Sequence, residues 1–323
     1  MILVFVEHDR GKLNELSLQA LTFGRQLAQQ TDGALQVVTV GDAARALLPR
    51  VAEYGVGLVH LAQDVRLDDY APAAWAQCLV DRITALQPQV VLAAGSERGN
   101  EVLAHVAART DLPLAANCTE VTPGEPFLVT RQRWGGSLLE DAKVHGAVKL
   151  LTLAPHAIQA ETAATAQASA IQEFTPALSD KDFRVRVTAR VETTGGKVSL
   201  ADAKVVVGGG RGVGSAEGFA VLETLAALLG GVVGCSRAVT SLGWRPHLDQ
   251  VGQTGARIAP EIYIACGVSG AIQHMVGCKG SKQILAINTD PEAPIVTRAD
   301  YAIIDDLHKA IPAICAEIGK GKG

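Results

Sequence analysis

Arg211 stands in a run of glycines, Gly208-Gly209-Gly210-Arg211-Gly212, directly after the apolar stretch Val205-Val206-Val207. The apolar stretch reads as a buried strand, and residues 215–229 read as a helix. A strand, a glycine turn and a helix N-terminus together make an anion site. The amides of a first helical turn have no internal partners, and glycine lets a phosphate approach the backbone closely. Arg211 would add a planar, bidentate phosphate clamp. Three further groups rich in glycine and hydrogen-bonding side chains follow at short intervals. They are Ser236-Arg237, Gln250-Val251-Gly252-Gln253-Thr254-Gly255 and Gly267-Val268-Ser269-Gly270-Ala271-Ile272-Gln273-His274.

The dinucleotide fingerprint Gly-x-Gly-x-x-Gly fails here. Counted from Gly208 its last position is Val213, and counted from Gly210 it is Ser215. No acidic residue stands about twenty positions on to hold a ribose. A Walker lysine is also missing, because no Gly-Lys pair is followed by Ser or Thr. The turn therefore belongs to another phosphate-binding type, and a nicotinamide-dependent oxidoreductase is set aside.

Longer stretches carry a resemblance. GGRG with Glu217 a few positions on, CSRAV, GWRPHLDQVGQTG, PEIYIACGVSGAIQHMVGCKGSK and AINTDPEAPIVTRADYAIIDDL occur in this order and cover nearly all of residues 204–318. Together they resemble the C-terminal domain of the α subunit of electron transfer flavoproteins. The resemblance implies bound FAD and a heterodimer with a β subunit that completes the flavin cleft and itself holds AMP. It also implies single electrons arriving from flavoprotein dehydrogenases of the acyl-CoA type and leaving toward a membrane quinone oxidoreductase. The departures are Ala256, where the family often has Lys, and residues 276–282.

FAD brings a pyrophosphate, an adenosine and an isoalloxazine ring, and residues here suit each part. Arg211 and Ser236 suit the pyrophosphate, as a fixed guanidinium and a hydroxyl beside glycine-rich backbone. Gly267 and Ser269-Gly270-Ala271-Ile272-Gln273 suit a second strand-to-helix turn whose amides face phosphate or ribityl oxygens. Asn288 and Asp306, at or after expected strands 284–287 and 301–304, suit the adenosine end. The alternative for each alone is ordinary capping or turn chemistry. Arg237, Gln250, Gln253, Thr254, Gly255 and His274 are assigned to the ring and its surroundings. By similarity to the family, Thr254 bonds flavin N5, His274 lies near O2 and Arg237 packs over the ring. A cation or donor near N1 and O2 favours the extra negative charge that one-electron reduction brings there.

These groups need a scaffold, and the whole chain indicates which. Its 323 residues suggest two domains; 48% are hydrophobic, 19% charged and only 4% aromatic, and glycine is abundant. That composition suits α/β layers built of Val, Ala and Leu. The net charge of −4, without a basic run or basic-aromatic patch, excludes an obvious nucleic-acid binder. The six cysteines show neither Cys-x-x-Cys nor zinc-like spacing and read as reduced core residues, Cys266 being a redox candidate only by its place near Ser269. No signal peptide or membrane-spanning run is visible, so a cytoplasmic protein without membrane insertion is expected.

In the first half, strands are expected at 2–6, 35–40, 56–61 and 90–94, and helices at 14–30, 42–48, 72–86 and 101–110. Strands alternating with helices predict a doubly wound, mainly parallel sheet. The turn Ser96-Glu97-Arg98-Gly99-Asn100 could hold a nucleotide or merely cap a helix; the resemblance places the nucleotide in the partner instead. After Pro113 short β-like segments are expected at 121–129, 149–153 and 183–192, and residues 157–170 read as a surface connection or a weak helix. Arg131-Gln132-Arg133-Trp134-Gly135-Gly136-Ser137 resembles the family's Arg-x-x-aromatic-x-Gly stretch on the partner side, the alternative being an aromatic packed under a loop. The expected organisation is two doubly wound α/β domains, residues 1–192 and an FAD-binding domain at 193–323.

With no triad, paired carboxylates or metal set in view, electron carriage is expected rather than substrate transformation. Two rival readings stay open. One is an electron-bifurcating member of the same family; the other is a non-redox adenine-nucleotide module, which would leave the C-terminal motifs idle.

Overall fold

The computed structural model describes residues 1–165, 169–189, 199–201 and 203–320. The chain divides into two compact units, Met1–Arg190 and Val191–Gly323. The boundary expected near residue 193 lies outside the described residues.

The first unit is a nine-stranded sheet with helices on both faces. Its elements are β1 (Ile2–Phe5), a small hairpin β2 (His8–Asp9) and β3 (Lys12–Leu13), α1 (Glu15–Gln30), β4 (Leu35–Val40), α2 (Leu48–Ala52), β5 (Leu58–Ala62) and α3 (Pro72–Leu86). Then come β6 (Val90–Ala94), α4 (Glu97–Thr110), β7 (Leu114–Thr122), β8 (Phe127–Arg133), β9 (Leu138–Val144), β10 (Lys149–Leu153) and β11 (Ala170–Phe174). The strand order is β11-β5-β4-β1-β6-β10-β7-β8-β9. All pairings are parallel except those within the β7-β8-β9 meander. Alternation along β1 shows why both faces are covered. Ile2 and Val4 pack with Leu18, Leu21 and Leu27 of α1, while Leu3 and Phe5 pack with Trp75 and Leu79 of α3 and Val102 of α4.

Several expectations shift. The turn at 96–100 is already helix: Ser96 is the N-cap, its Oγ accepting the Gly99 amide hydrogen at 2.9 Å, and α4 begins at Glu97 rather than residue 101. The sequence offered a polar cluster, and a cap followed by polar first-turn residues looks like a loop until its apolar face appears at Val102. The β-like stretch expected at 121–129 is the end of one strand, a turn and the start of another. No strand lies in described residues 183–189, where Asp180–Phe183 forms a 3-10 turn, and residues 190–192 lie outside the described set. The helix expected at 42–48 is a 3-10 segment, Asp42–Leu47, running into α2. Strands β9 and β11 were not foreseen, because LLEDAKV and AIQEF are too charged or too exposed to read as sheet.

The second unit is a five-stranded parallel sheet of order β13-β12-β14-β15-β16. Its elements are β12 (Val205–Gly209), α5 (Ala220–Leu229), β13 (Val232–Cys235), α6 (Arg237–Ser241), β14 (Ile262–Cys266), α7 (Ile272–Cys278), β15 (Gln283–Asn288), β16 (Tyr301–Ile304) and α8 (Leu307–Lys320). Again the faces alternate. Val207, Ile264 and Ile287 pack against Leu222 and Leu225 of α5 and Ile311 of α8, while Val206, Tyr263 and Ala286 pack against Met275 and Cys278 of α7. The helix expected from residue 215 begins later, as a 3-10 turn at Glu217–Phe219 leading into α5. Among the described residues no helix is long and apolar enough to cross a membrane.

Ser96 ties the first unit's central crevice together, because its hydroxyl also bonds the buried carboxylate of Glu7. Glu7 in turn accepts from Asn14 Nδ2 at 3.0 Å, and its amide donates to Ser17 Oγ at 3.1 Å. Ser96→Ala removes a cap and leaves a buried carboxylate short of one donor. It should lower stability by about 1–3 kcal/mol, measured by urea denaturation against Glu97→Ala, which should cost less.

Candidate functional site

The strand order of the second unit reverses direction between β12 and β14, and ligands of open α/β sheets bind outside the strand carboxyl ends at such a point. A cleft of about 250 Å³ opens there, lined among others by Gly210, Arg211, Gly212, Ser236, Gly267, Ser269, Asn288 and Asp306. Six of the residues selected from the sequence thus share one cavity. The same cleft is lined by Thr289, Asp290 and Asp305, which the sequence reading missed. An acidic pair Asp305-Asp306 between a strand and a helix was the available signal.

Backbone contact shapes the floor of the cleft. The Gly210 amide donates to the Cys266 carbonyl at 2.9 Å and the Gly212 amide to the Gly267 carbonyl at 3.1 Å. A Cβ on Gly210 would stand 2.1 Å from the Gly267 oxygen, and one on Gly212 2.7 Å from the Gly267 Cα. Gly267 itself has φ +61°, a conformation side chains rarely take. The glycines therefore join the turns after β12 and β14, and exposed Arg211 projects from that junction. Ser236 is held by its amide, which donates to the Gly209 carbonyl at 2.9 Å, and its hydroxyl makes no cap bond to α6.

Two polar side chains of the same lining are partly engaged. Asn288 donates from Nδ2 to the Val268 carbonyl at 2.8 Å and accepts the Asp290 amide hydrogen at 3.0 Å. Asp306 caps α8, accepting the His308 amide hydrogen at 2.9 Å. The turn chemistry weighed for these two residues is present, and both still line the cleft. The cleft thus combines a guanidinium and two serine hydroxyls with the carboxylates of Asp290, Asp305 and Asp306.

A second group lies outside the lining of that cleft. Gln250 is buried and acts as a brace, accepting from Thr240 Oγ1 at 2.7 Å and donating to Thr254 Oγ1 at 2.9 Å. Its side chain is thus bound to protein, a role the sequence did not reveal. The Gln253 amide donates to the Gln273 carbonyl at 2.7 Å, which brings the 250–256 loop against α7. A Cβ on Gly255 would stand 2.3 Å from the Gln250 carbonyl, so Gly255 closes this loop tightly. Gly270, at φ +80°, packs on the Ile295 backbone. Arg237, Thr254, Ser269, Ala271, Ile272 and Gln273 are exposed, Ile272 by 62%.

His274 differs from these: only 7% of its surface is exposed. Its Nε2 lies 2.8 Å from the Tyr263 hydroxyl, and its buried Nδ1 has no hydrogen-bond partner. Burial pushes its pKa down to about 4, with the Val251 backbone working the other way. It is consequently a neutral imidazole near pH 7, a donor rather than the positive charge one would attach to a histidine beside a reduced ring. Burial also pushes the Cys266 thiol up to about 12, which removes the thiolate that redox reactivity would need.

The family profile described as "Electron transfer flavoprotein domain" matches residues 2–179, and that described as "Electron transfer flavoprotein FAD-binding domain" matches residues 199–279. The chain belongs to the electron transfer flavoprotein α-subunit family. It is 32% identical to an electron transfer flavoprotein subunit alpha of Thermoanaerobacterium thermosaccharolyticum, over 99% of this chain and 98% of that one. The corresponding protein of Syntrophomonas wolfei is 35% identical, covering 98% of each. A "Protein FixB" of Clostridium saccharobutylicum is 34% identical over 97% of this chain and 95% of its own. The second unit of this α subunit is thus the family's FAD-binding domain, and FAD is its cofactor. Three features of the unit fit that group. They are the exposed Arg211 guanidinium in the cleft, the Ser236 and Ser269 hydroxyls in the same lining, and an orphaned buried nitrogen on His274.

The buried state of His274 has a pH consequence. Below about pH 6.5 the unfolded chain protonates this histidine, while the folded chain resists until about pH 4. Stability from this group is full above pH 6.5 and is lost as pH falls through that window, on the order of 3 kcal/mol in total. Chemical denaturation at a series of pH values should show this loss in the parent chain and a shallower one in His274→Gln. Parallel slopes would mean that the histidine is not buried in its neutral form.

Proposed function

We propose that this chain is the FAD-holding subunit of a single-electron shuttle. In this reading it forms a heterodimer with an electron transfer flavoprotein β subunit, which carries AMP. It takes electrons from flavoprotein dehydrogenases of the acyl-CoA type and passes them to a membrane quinone oxidoreductase. Bound FAD supplies the one-electron chemistry. The observation that carries the reading is the polar cleft at the switch point of the second sheet, where six sequence-selected residues meet.

Each residue then has a task of its own. Arg211 neutralises the pyrophosphate over the Gly210 and Gly212 turn, with Ser236 and Ser269 donating alongside. Asp306 and the loop held by Asn288 receive the adenosine end. Thr254, fixed by the Gln250 brace, donates toward the ring, as do Gln253 and His274, and Arg237 lends it a positive charge. A cleft of about 250 Å³ is smaller than the roughly 300–1,000 Å³ usual for ligand pockets. It suits one end of so long a cofactor, which supports a second subunit completing the cover. The β8–β9 hairpin tip supports the same reading, since Trp134, Leu138 and Leu139 are exposed by 79%, 55% and 68%. Clustered apolar side chains of this kind mark contact surfaces.

Arg211→Ala tests the assignment. Loss of a charge-assisted contact of about 1.5–3 kcal/mol predicts FAD affinity weaker by roughly ten- to a hundredfold. Titrating FAD into the flavin-free heterodimer and following fluorescence quenching would measure it, with circular dichroism to confirm the fold. Unchanged affinity would remove Arg211 from the site. One flavin per heterodimer is expected; two would replace the shuttle with a bifurcating complex.

A further inference from the structure

Tyr263, on β14, is completely buried, and its hydroxyl lies 2.8 Å from His274 Nε2. Two hydrogen-bond polarities satisfy that distance. Either the phenol donates to an unprotonated Nε2, or a protonated Nε2 donates to the phenol oxygen. In the second case the phenol hydrogen is left without an acceptor in the core, because among the described residues His274 is the one hydrogen-bond partner of this hydroxyl. A buried donor left unmatched costs about 1–3 kcal/mol. Burial keeps both the phenol and the imidazole in their neutral forms.

We propose that Tyr263 is a positioning residue: its hydroxyl donates to His274 Nε2, fixes the imidazole as the Nδ1–H tautomer, and so leaves Nδ1–H as the donor offered to the bound ligand. The ligand's identity rests on the FAD reading above; the tautomer rests on the core contacts alone. The surroundings are built for the pair. A Cβ on Gly208 would stand 2.2 Å from the Tyr263 hydroxyl oxygen, so the first glycine of the run makes room for this hydroxyl. On the opposite side Gly252 brings the 250–256 loop close. A Cβ there would stand 3.1 Å from the Gln273 carbonyl oxygen and 3.7 Å from the His274 Cα. Gln253 and Thr254 therefore lie in the loop that covers the imidazole, and the orphaned Nδ1 sits beside the residues assigned to the ring. A fixed tautomer presents a donor of known direction without reorganisation when the charge arrives.

The test is long-range proton–nitrogen correlation NMR on the full chain labelled with ¹⁵N-histidine, with the His274 signals assigned by their absence in His274→Gln. The expected pattern has the unprotonated, downfield nitrogen coupled to both ring C–H protons, the mark of Nδ1–H. Tyr263→Phe should move His274 toward the Nε2–H form. A parent chain already in the Nε2–H form overturns the proposal, and this measurement decides even if Tyr263→Phe does not fold. The second readout is the midpoint potential of flavin in the loaded heterodimer. Tyr263→Phe should shift it; an altered tautomer with an unchanged potential would overturn the link to the ligand. A chain that binds no FAD yet shows Nδ1–H would sink the functional reading and leave the Tyr263–His274 pair standing.

Discussion

The second unit depends on one close approach, that of the turn after β12 to the turn after β14. Two amide-to-carbonyl bonds join them, Gly210 to Cys266 and Gly212 to Gly267. Each is worth only about 1 kcal/mol net. Their leverage is steric: the backbones approach so closely that side chains at Gly210 and Gly212 are excluded. With the crevice floor reduced to backbone whose Gly210 and Gly212 amides are already bonded, a phosphate there would meet a flat turn and the base of Arg211. The sheet contributes rigidity, since β12 and β14 lie at its centre with parallel neighbours on both sides. A floor fixed in this way needs no rearrangement when a charged ligand binds.

The first unit has the same kind of switch point, between β1 and β6, and fills it differently. There Glu7, Ser96 and Asn14 bond one another, and the His8 ring is held by the Val40 carbonyl at 2.7 Å. Farther along, Asn100 accepts from Thr152 Oγ1 at 2.7 Å, and the same oxygen receives the Asn117 amide hydrogen at 2.7 Å. Polar side chains at the strand ends are spent on one another. Of the two readings of residues 96–100, the capped helix is the one the hydrogen bonds display.

Much of this was legible in the chain itself, and the reasons are specific. Strands β4 and β6 and helix α3 coincide with their expected bounds because each is an apolar run or stripe closed by Gly, Pro or polar residues. Strand β9 was not legible: LLEDAKV alternates poorly and pairs with β8 on one side only. In the candidate site, residues that project from glycine turns were recognisable by type. Those that act by holding others were not. Gln250 looks like a ligand donor in sequence, and only its bonds to Thr240 and Thr254 show it to be a brace. Tyr263 looks like core and is core, and no local pattern announces the histidine eleven residues on that it touches.

That division has a physical basis. Residues that meet a ligand must be small or reach outward, and Arg211, Arg237, Thr254 and Ser269, proposed for that task, are exposed in this chain. Residues that fix them must be buried and fully bonded, so Gln250 and Tyr263 belong to the interior. His274 belongs to both classes, with one nitrogen bonded in the core and the other unmatched. A buried polar atom left without a partner is costly and therefore informative. Here it lies under the loop that carries Gln253 and Thr254, and its neutral state means that any charge on the ligand is met by oriented N–H and O–H groups at this end. In the proposed reading the formal charge comes from the guanidinium groups of Arg211 and Arg237, which stand at the surface. Separating charge from direction in this way lets the interior remain free of an unpaired ion, which the low dielectric of the core would penalise by several kcal/mol.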